Sequence, residues 1–410
     1  TLGTLKLLDG AGDGAGRASN YTLDGGTHTV DIAKVQVTVR GITASDKMYD
    51  GTTAATIDYS GASVSGVVSG DELFVAGATG AFEDKAAGDG KTVTITGIVL
   101  GGSGAKNYEL ADDPVTATAS ISKAKITHIS GITAADKPYD GTASASLDLS
   151  AAILTGKVSG DDLVVAEAVG TFESKDAGEE RTVSITGLVL DGDDASNYEL
   201  ALERGVSTTA AITPRVVRLV GNRVYDGTTE LAASIFDLEG VLEGESLSLT
   251  GVGSMTDKKA GTGKNVILDS LALADGDGGD GNGAGLASNY TLDGGAHTVD
   301  IAKATVQLTG VQAAPKTYDG SRTATIDSYG QLSGVLPGDD VELDTRGAEA
   351  LFHDAGPGEG KLVTVTGLAL RGEDADNYIF DGMATAAADI VAGPGPSVPP
   401  PGAFDPPVGG

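Results

Sequence analysis

Two short motifs return in fixed register along the 410-residue chain. A Tyr-Asp-Gly triplet stands at Tyr49-Asp50-Gly51, Tyr139-Asp140-Gly141, Tyr225-Asp226-Gly227 and Tyr318-Asp319-Gly320, at steps of 90, 86 and 93 residues. An Asn-Tyr pair stands at Asn20-Tyr21, Asn107-Tyr108, Asn197-Tyr198, Asn289-Tyr290 and Asn377-Tyr378, at steps of 87, 90, 92 and 88. Two registers that advance together mark tandem copies of one small domain. The chain is therefore an array, not the two or three unrelated domains that its length alone suggests.

The period places four full units at 35–123, 124–213, 214–303 and 304–391. Residues 1–34 read as the C-terminal part of a truncated repeat, because DGAGDGAGRASNYTLDGGTHTVDIAK at 9–34 nearly duplicates 277–303. An opening in mid-unit is expected of a piece of a longer array, with any targeting segment outside it. Beyond Val391 the composition turns to AGPGPSVPPPGAFDPPVGG, so 392–410 reads as an extended, disordered linker.

A unit of about 90 residues can close a small core, and here that core is lean. Only 7 Phe and 11 Tyr occur, with no Trp, and nine of the tyrosines lie in the two motifs. Phe82 recurs as Phe172 and Phe352, with Met255 in the third copy. One such residue plus two tyrosines per unit is the expected anchor set, with Tyr139 and Tyr198 anchoring one core. Cysteine is absent, which excludes disulfides and thiolate metal sites. A net charge of −31 argues against nucleic acid or an anionic membrane as partner and against direct membrane insertion.

Strand signals dominate. KTVTITGIVL (91–100), RTVSITGLVL (181–190), KNVILDSLALA (264–274) and KLVTVTGLAL (361–370) align, alternate in polarity and carry a Gly or Ser break. Each precedes a turn, the Asn-Tyr pair and a Thr/Ala-rich strand such as VTATASI (115–121), which reads as a hairpin with a longish loop. Further strands are expected at 35–40, 54–59 and 72–77, and a short helical turn near 61–70. About seven short strands per unit predict an all-β fold, a tandem array of immunoglobulin-like β-sandwich repeats, with β-grasp repeats as the alternative. Two or three residues join one unit to the next, so the expected particle is an elongated, monomeric rod. Small-angle scattering from a compact particle would contradict that.

The Tyr-Asp-Gly triplet suits a turn, since Asp and Gly tolerate positive φ and tyrosine can anchor the turn on a core. Lys47, Lys137, Arg223 and Lys316 stand two places ahead of the four tyrosines, positioned for a ring contact or an acid. The Asn-Tyr pair reads as a buried ring with a hydrogen-bonded hydroxyl. Tyr21, Tyr108, Tyr198, Tyr290 and Tyr378 are accordingly structural candidates, not ligand contacts. Two copies, at Asn20 and Asn289, also form N-glycosylation sequons.

The loops ahead of these pairs are the candidates for a metal. Asp275, Asp277 and Asp280, and likewise Asp191, Asp193 and Asp194, offer carboxylates on short Gly-rich chain, as calcium requires. Solvated acidic turns are the default reading, because the first unit has GGSGAKN there. No cofactor and no catalysis are expected: His28, His128, His297 and His353 form no cluster, and no nucleophile motif occurs. Lys85 and Lys175 invite a Lys–Asn crosslink, but the fourth unit has LFHDAGPG where they would stand.

The ordered blocks K-x-YDG-T/S, F-x-x-K-x-A-G-x-G-K-x-V-T-I-T-G and G-x-x-A-x-N-Y-x-L resemble the YDG repeat of filamentous-haemagglutinin-type bacterial surface proteins. The resemblance covers the four full units and the leading partial one. It implies a very large adhesin, secreted by the two-partner route through an outer-membrane transporter, and it carries no catalytic residues. The expected function is a structural stalk of an extracellular adhesin that projects a binding head. A carbohydrate-binding array gripping a matrix polysaccharide or host glycan is the alternative.

Overall fold

A computed structural model describes residues 3–13, 15–111, 114–278 and 283–394. Asp280 and most of the Pro/Gly-rich segment, 395–410, lie outside the described residues. Two compact units emerge. One holds 1–132, 148–169 and 185–206; the other holds 133–147, 170–184 and 207–410. No α-helix occurs among the described residues, and no helix is long and apolar enough to cross a membrane. That removes the β-grasp alternative, which needs a helix on its sheet.

The first unit contains the whole of repeat 1, which shows the design. Val35–Arg40 pairs antiparallel with Ser63–Ser65 and parallel with Tyr108–Leu110, making one sheet. In the other sheet, the long strand Gly88–Gly101 lies between Phe74–Phe82 and Val115–Ser122, with Ala54–Ala55 and Lys47–Met48 at the edges. Alternation turns Val93 and Ile95 inward on the long strand. The two sheets close as a sandwich on Val39, Ile42, Val75 and Ile95. The part of repeat 2 in this unit keeps the first of these sheets' pairings: Ala124–Ile126 lies parallel to Tyr198–Leu200, and His128–Ser130 antiparallel to Ile153–Thr155.

In the second unit, repeat 4 repeats the scheme. Gly358–Thr366 pairs with Glu349–Phe352 and Ala384–Val391, over a core of Phe352, Val363, Val365 and Ile390. Repeat 3 departs from it. Its counterpart of the long strand divides into Gly261–Asn265 and Ala272–Asp275, across a wider gap than that between Gly358–Thr366 and Ala369–Arg371 in repeat 4. Gly97, Gly187 and Gly367 take a left-handed conformation at the break in the other repeats, φ +62°, +62° and +71°. Repeat 3 has Ser270 at that place, and Asp269 takes the left-handed turn instead, one residue earlier.

Two expectations need correction. Residues 61–70 are not helical: Ser63–Ser65 is a strand, and Gly66, at φ +93°, lies so close to the Gln36 carbonyl that a Cβ would sit 3.0 Å from it. The long strand and the Thr/Ala strand do pair antiparallel, but the chain between them is not a simple hairpin loop. It crosses to the other sheet, where the Asn-Tyr segment pairs with the opening strand of its repeat. Residues 3–34 form no strand among those described, although 277–303 is nearly identical and does. Thr298–Ala302 is held between Arg218–Val224 and Gly261–Asn265. Val30 and Ile32 are exposed, whereas their counterparts Val299 and Ile301 are buried.

Candidate functional site: the repeat junction

The Tyr-Asp-Gly turn is built the same way each time. Asp50 accepts from the Thr52 amide at 2.9 Å and from Lys47 Nζ at 2.7 Å, and Gly51 takes φ +77°. The ammonium also donates to the Thr52 and Ala54 carbonyls and lies 5.7 Å from the Phe82 ring centroid. Lys137 and Lys316 do likewise beside Asp140 and Asp319, and Arg223 pairs with Asp226. The Lys47 ammonium holds the Asp50 carboxyl down at about 2. All four cations therefore close the turn, and the three lysines also cover the core Phe of their repeats; none lies along the triplet tyrosine.

The tyrosine on this turn points at the next repeat. Tyr49 meets Tyr198 edge to face, ring centroids 5.5 Å apart. Tyr139 meets Tyr290 at 5.4 Å and Tyr225 meets Tyr378 at 5.5 Å. This corrects the expectation that Tyr139 and Tyr198 share one core: Tyr49, Tyr139 and Tyr225 each pair with the Asn-Tyr tyrosine of the following repeat.

One acid gathers both hydroxyls. Asp161 Oδ2 accepts from Tyr49 at 2.8 Å and from Tyr198 at 2.6 Å. Asp339 does the same for Tyr225 and Tyr378 at 2.8 and 2.7 Å, and Glu245 uses one oxygen each for Tyr139 and Tyr290 at 2.6 and 2.7 Å. A lysine from the earlier repeat neutralises this acid. Lys85 bridges Asp161 at 3.4 Å and Asp194 at 3.0 Å; Lys258 bridges Asp339 at 2.5 Å and Asp374 at 3.1 Å. Lys175 has Glu245 alone, at 3.6 Å, since repeat 3 has Leu286 where Asp194 and Asp374 stand. The same lysines Lys85 and Lys258 lie 5.9 Å from the Tyr49 and Tyr225 centroids.

The motif asparagine completes the lock. Asn197 Oδ1 accepts from the Ala87 amide at 2.9 Å, Asn289 from Ala177 at 2.8 Å, and Asn377 from Ala260 at 2.9 Å. Asn289 is 1% exposed, so its sequon is closed to a glycan in this fold. The triplet glycine has a steric reason beyond its φ: a Cβ on Gly51, Gly141 or Gly227 would stand 3.0–3.4 Å from Val158, Leu242 or Leu336 of the next unit.

Tyr318 and Tyr21 meet no second ring among the described residues. Tyr318 is 49% exposed and Tyr21 68%, against 1% for Tyr139. Tyr108 stays buried in its own repeat, bonded to Asp71 at 2.6 Å.

The electrostatics follow from this geometry. Burial pushes the Asp161 and Asp339 carboxyls up, but the two phenols and the lysine outweigh it, and both titrate below the usual range, as does Glu245. Burial, reinforced by the Asp161 carboxylate, pushes the Tyr198 phenol up to about 12; Tyr290 and Tyr378 also reach about 12. Depressed carboxylates stabilise the fold above their unfolded pKa of about 4, and that part is lost as pH falls through the folded value. Raised phenols stabilise below about pH 10, and that part is lost as pH rises toward 12. Stability should therefore hold between about pH 5 and 10 and drop on both sides. A melting temperature unchanged from about pH 7 to 11.5 would contradict this account of the phenols.

Of the metal candidates, Asp194 is held by Lys85, the Asp193 amide bonds Asp162, and Asp191 ends the long strand Gly178–Asp191. Asp275 accepts from the Ala287 amide at 2.7 Å, with Asp277 in the same loop. No group of three metal-ligating side chains suited to an ion occurs among the described residues. Added Ca²⁺, Mg²⁺ and ordinary salt should raise the melting temperature by screening alone, without Ca²⁺ selectivity. A saturable, Ca²⁺-selective rise abolished by Asp275→Ala with Asp277→Ala would overturn that.

The residue that sequence reasoning passed over is the gathering acid. It follows a glycine in every unit, as Gly70-Asp71, Gly160-Asp161, Gly244-Glu245 and Gly338-Asp339. That recurring dipeptide was the available signal.

A family profile described as YDG domain matches residues 32–117, 122–210, 208–298 and 302–388. No curated protein matches the chain. Among solved structures, Drosophila N-cadherin EC1-4 is similar at 8% identity and TM-score 0.15, over 86% of this chain and 99% of that one. Domains 4-9 of the surface layer protein SbsC give 12% identity and TM-score 0.17, over 83% of this chain and 65% of that one. Sidekick-1 immunoglobulin domains 1-5 give 12% and 0.15, over 85% and 78%.

Proposed function

The chain belongs to the YDG domain family, in four consecutive copies, and on that premise we propose that it is a structural stalk of an extracellular bacterial adhesin. One observation supports this reading most. The motif tyrosines and asparagines, with the lysines and acids around them, join one repeat to the next. A module that gripped a ligand would leave such groups open, with aromatic platforms toward solvent. Here three triplet tyrosines and four pair tyrosines are buried.

The junction chemistry suits load and spacing. Each unit holds its neighbour through a desolvated ring pair, a charge-assisted network and a backbone bond, so neighbouring copies stabilise one another. Repetition then sets reach, and a head carried elsewhere in the protein makes the attachment. Secretion through an outer-membrane transporter belongs to the same reading. The isolated chain should show no binding above background on a glycan array that includes bacterial matrix polysaccharides. Saturable binding to one glycan class, lost on mutation of exposed side chains, would replace the stalk with the carbohydrate-binding reading.

A further inference from the structure

Every junction needs four groups from its earlier repeat: the tyrosine, the close-approach glycine, the lysine and the amide that meets asparagine. Repeat 4 has the first two. Its turn is intact, with Lys316 Nζ on Asp319 at 2.7 Å and Gly320 at φ +79°. Its second loop keeps the same backbone register. Phe352 N bonds Arg322 O as Phe82 N bonds Thr53 O, and the Gly356 amide bonds Asp354 as the Ala86 amide bonds Asp84. Lys85 therefore corresponds to Ala355, and Ala87 to Pro357. Alanine supplies no cation, and proline has no N–H to give. Both polar contributions are missing from this face.

Repeat 1 presents the reverse case at its upstream face. Tyr108 already bonds Asp71 at 2.6 Å and accepts from the Val68 amide at 3.1 Å, as Tyr198 does with Asp161 and Val158. Asn107 sits on the same short 3-10 turn, Ala105–Asn107, as Asn197 on Ala195–Asn197. Yet Asn107 and Asp71 are exposed, whereas Asn197 and Asp161 are buried under the preceding repeat. Gly104 stands where Asp194 does, and the Lys175–Glu245 junction demonstrates that one acid suffices.

We propose that the upstream face of repeat 1 is a docking site for another YDG repeat carrying an intact Lys-x-Ala loop, and that repeat 4 cannot dock onto a following repeat in this way. The occupant is identified by the three filled junctions: a tyrosine for Asp71 and the Tyr108 ring, a lysine for Asp71, and an amide for Asn107. The array thus has a polarity, able to extend from the repeat 1 side and closed at repeat 4. This does not depend on the adhesin reading.

The test converts an internal junction into the repeat 4 form. In the full chain, Lys175→Ala with Ala177→Pro should speed amide exchange at 242–245 and 287–290 by about tenfold or more. It should also bring the Tyr290 phenol down from about 12 toward its ordinary value. Should proline at 177 unfold repeat 2, seen as lost protection in Val206–Thr213, Lys175→Ala with Asn289→Ala removes the same two contacts. Exchange and titration unchanged in a folded variant would overturn the proposal. A second pair of chains tests the ends directly. A copy of 214–303 placed ahead of Val35 should slow exchange at its own copy of the Ala260 amide. A copy of 124–213 placed after Val391 should gain no protection unless repeat 4 carries Ala355→Lys with Pro357→Ala. Equal protection on unmodified repeat 4, or none on repeat 1, would refute it.

Discussion

Replacing Tyr139 with Ala will destabilise the second and third repeats together, by about 3–5 kcal/mol. Its ring is 1% exposed and fills the space beside Tyr290, and its hydroxyl is bonded to Glu245 in the third repeat. Truncation leaves a cavity at the junction, removes the edge-to-face contact, and leaves one Glu245 oxygen without its phenol. The matching change Tyr318→Ala should cost little, because Tyr318 is half exposed and meets no other aromatic ring edge to face among the described residues. Local amide exchange separates the cases. Tyr139→Ala should open both 206–213 and 242–245, while Tyr318→Ala should leave every repeat protected as before. Loss confined to the second repeat would mean that the ring serves only its own core.

Replacing Asp339 with Ala will cost a similar amount, about 3–5 kcal/mol, because a partner is removed from a buried network. The Lys258 ammonium and the hydroxyls of Tyr225 and Tyr378 all point at this carboxylate. Asp339→Asn keeps the size and two acceptor positions but not the charge, so it should recover part of the loss. The Tyr378 phenol, now pushed up to about 12, should titrate closer to its ordinary value in either variant. Asp71→Ala supplies the control, since Asp71 is exposed and holds one phenol instead of two. Urea melts of the three variants read the difference. Equal losses at Asp71 and Asp339 would show that the acid orders its own loop and does not join repeats.

Much of the fold is legible in the sequence, for a physical reason. Val93 and Ile95 alternate with threonines on a half-buried strand, so period-2 polarity marks the strand without any partner in view. The Tyr-Asp-Gly turn is equally local: a positive φ at Gly51 and an acid bonding the Thr52 amide need only four consecutive residues. The junction is different. A regular period fixes where Tyr198 lies in its repeat but not which repeat its ring meets. Tyr139, 59 residues earlier, and Tyr49, 149 residues earlier, occupy the same place in successive units. Only tertiary structure separates them.

The acid was hidden by its chemistry. It changes from Asp to Glu in the third repeat, lies 37, 37, 45 and 39 residues ahead of its tyrosine, and sits among 58 acidic residues. Residues 9–34 mark the opposite limit. Their near-copy at 277–303 contains the strand Thr298–Ala302 and the described residues of 9–34 contain none, so this sequence alone does not fix a strand.

The central claim is that the tyrosine of one repeat and the acid of the next act as one unit. A double-mutant cycle on Tyr139→Phe and Glu245→Gln, read by urea unfolding of the full chain, measures that coupling across a repeat boundary. The two side chains lie 2.6 Å apart and share Lys175 and Tyr290 as neighbours, so an interaction energy of about 1–3 kcal/mol is expected. Losses that add to within about 0.3 kcal/mol would mean that the repeats merely abut, and that the motifs serve each fold alone.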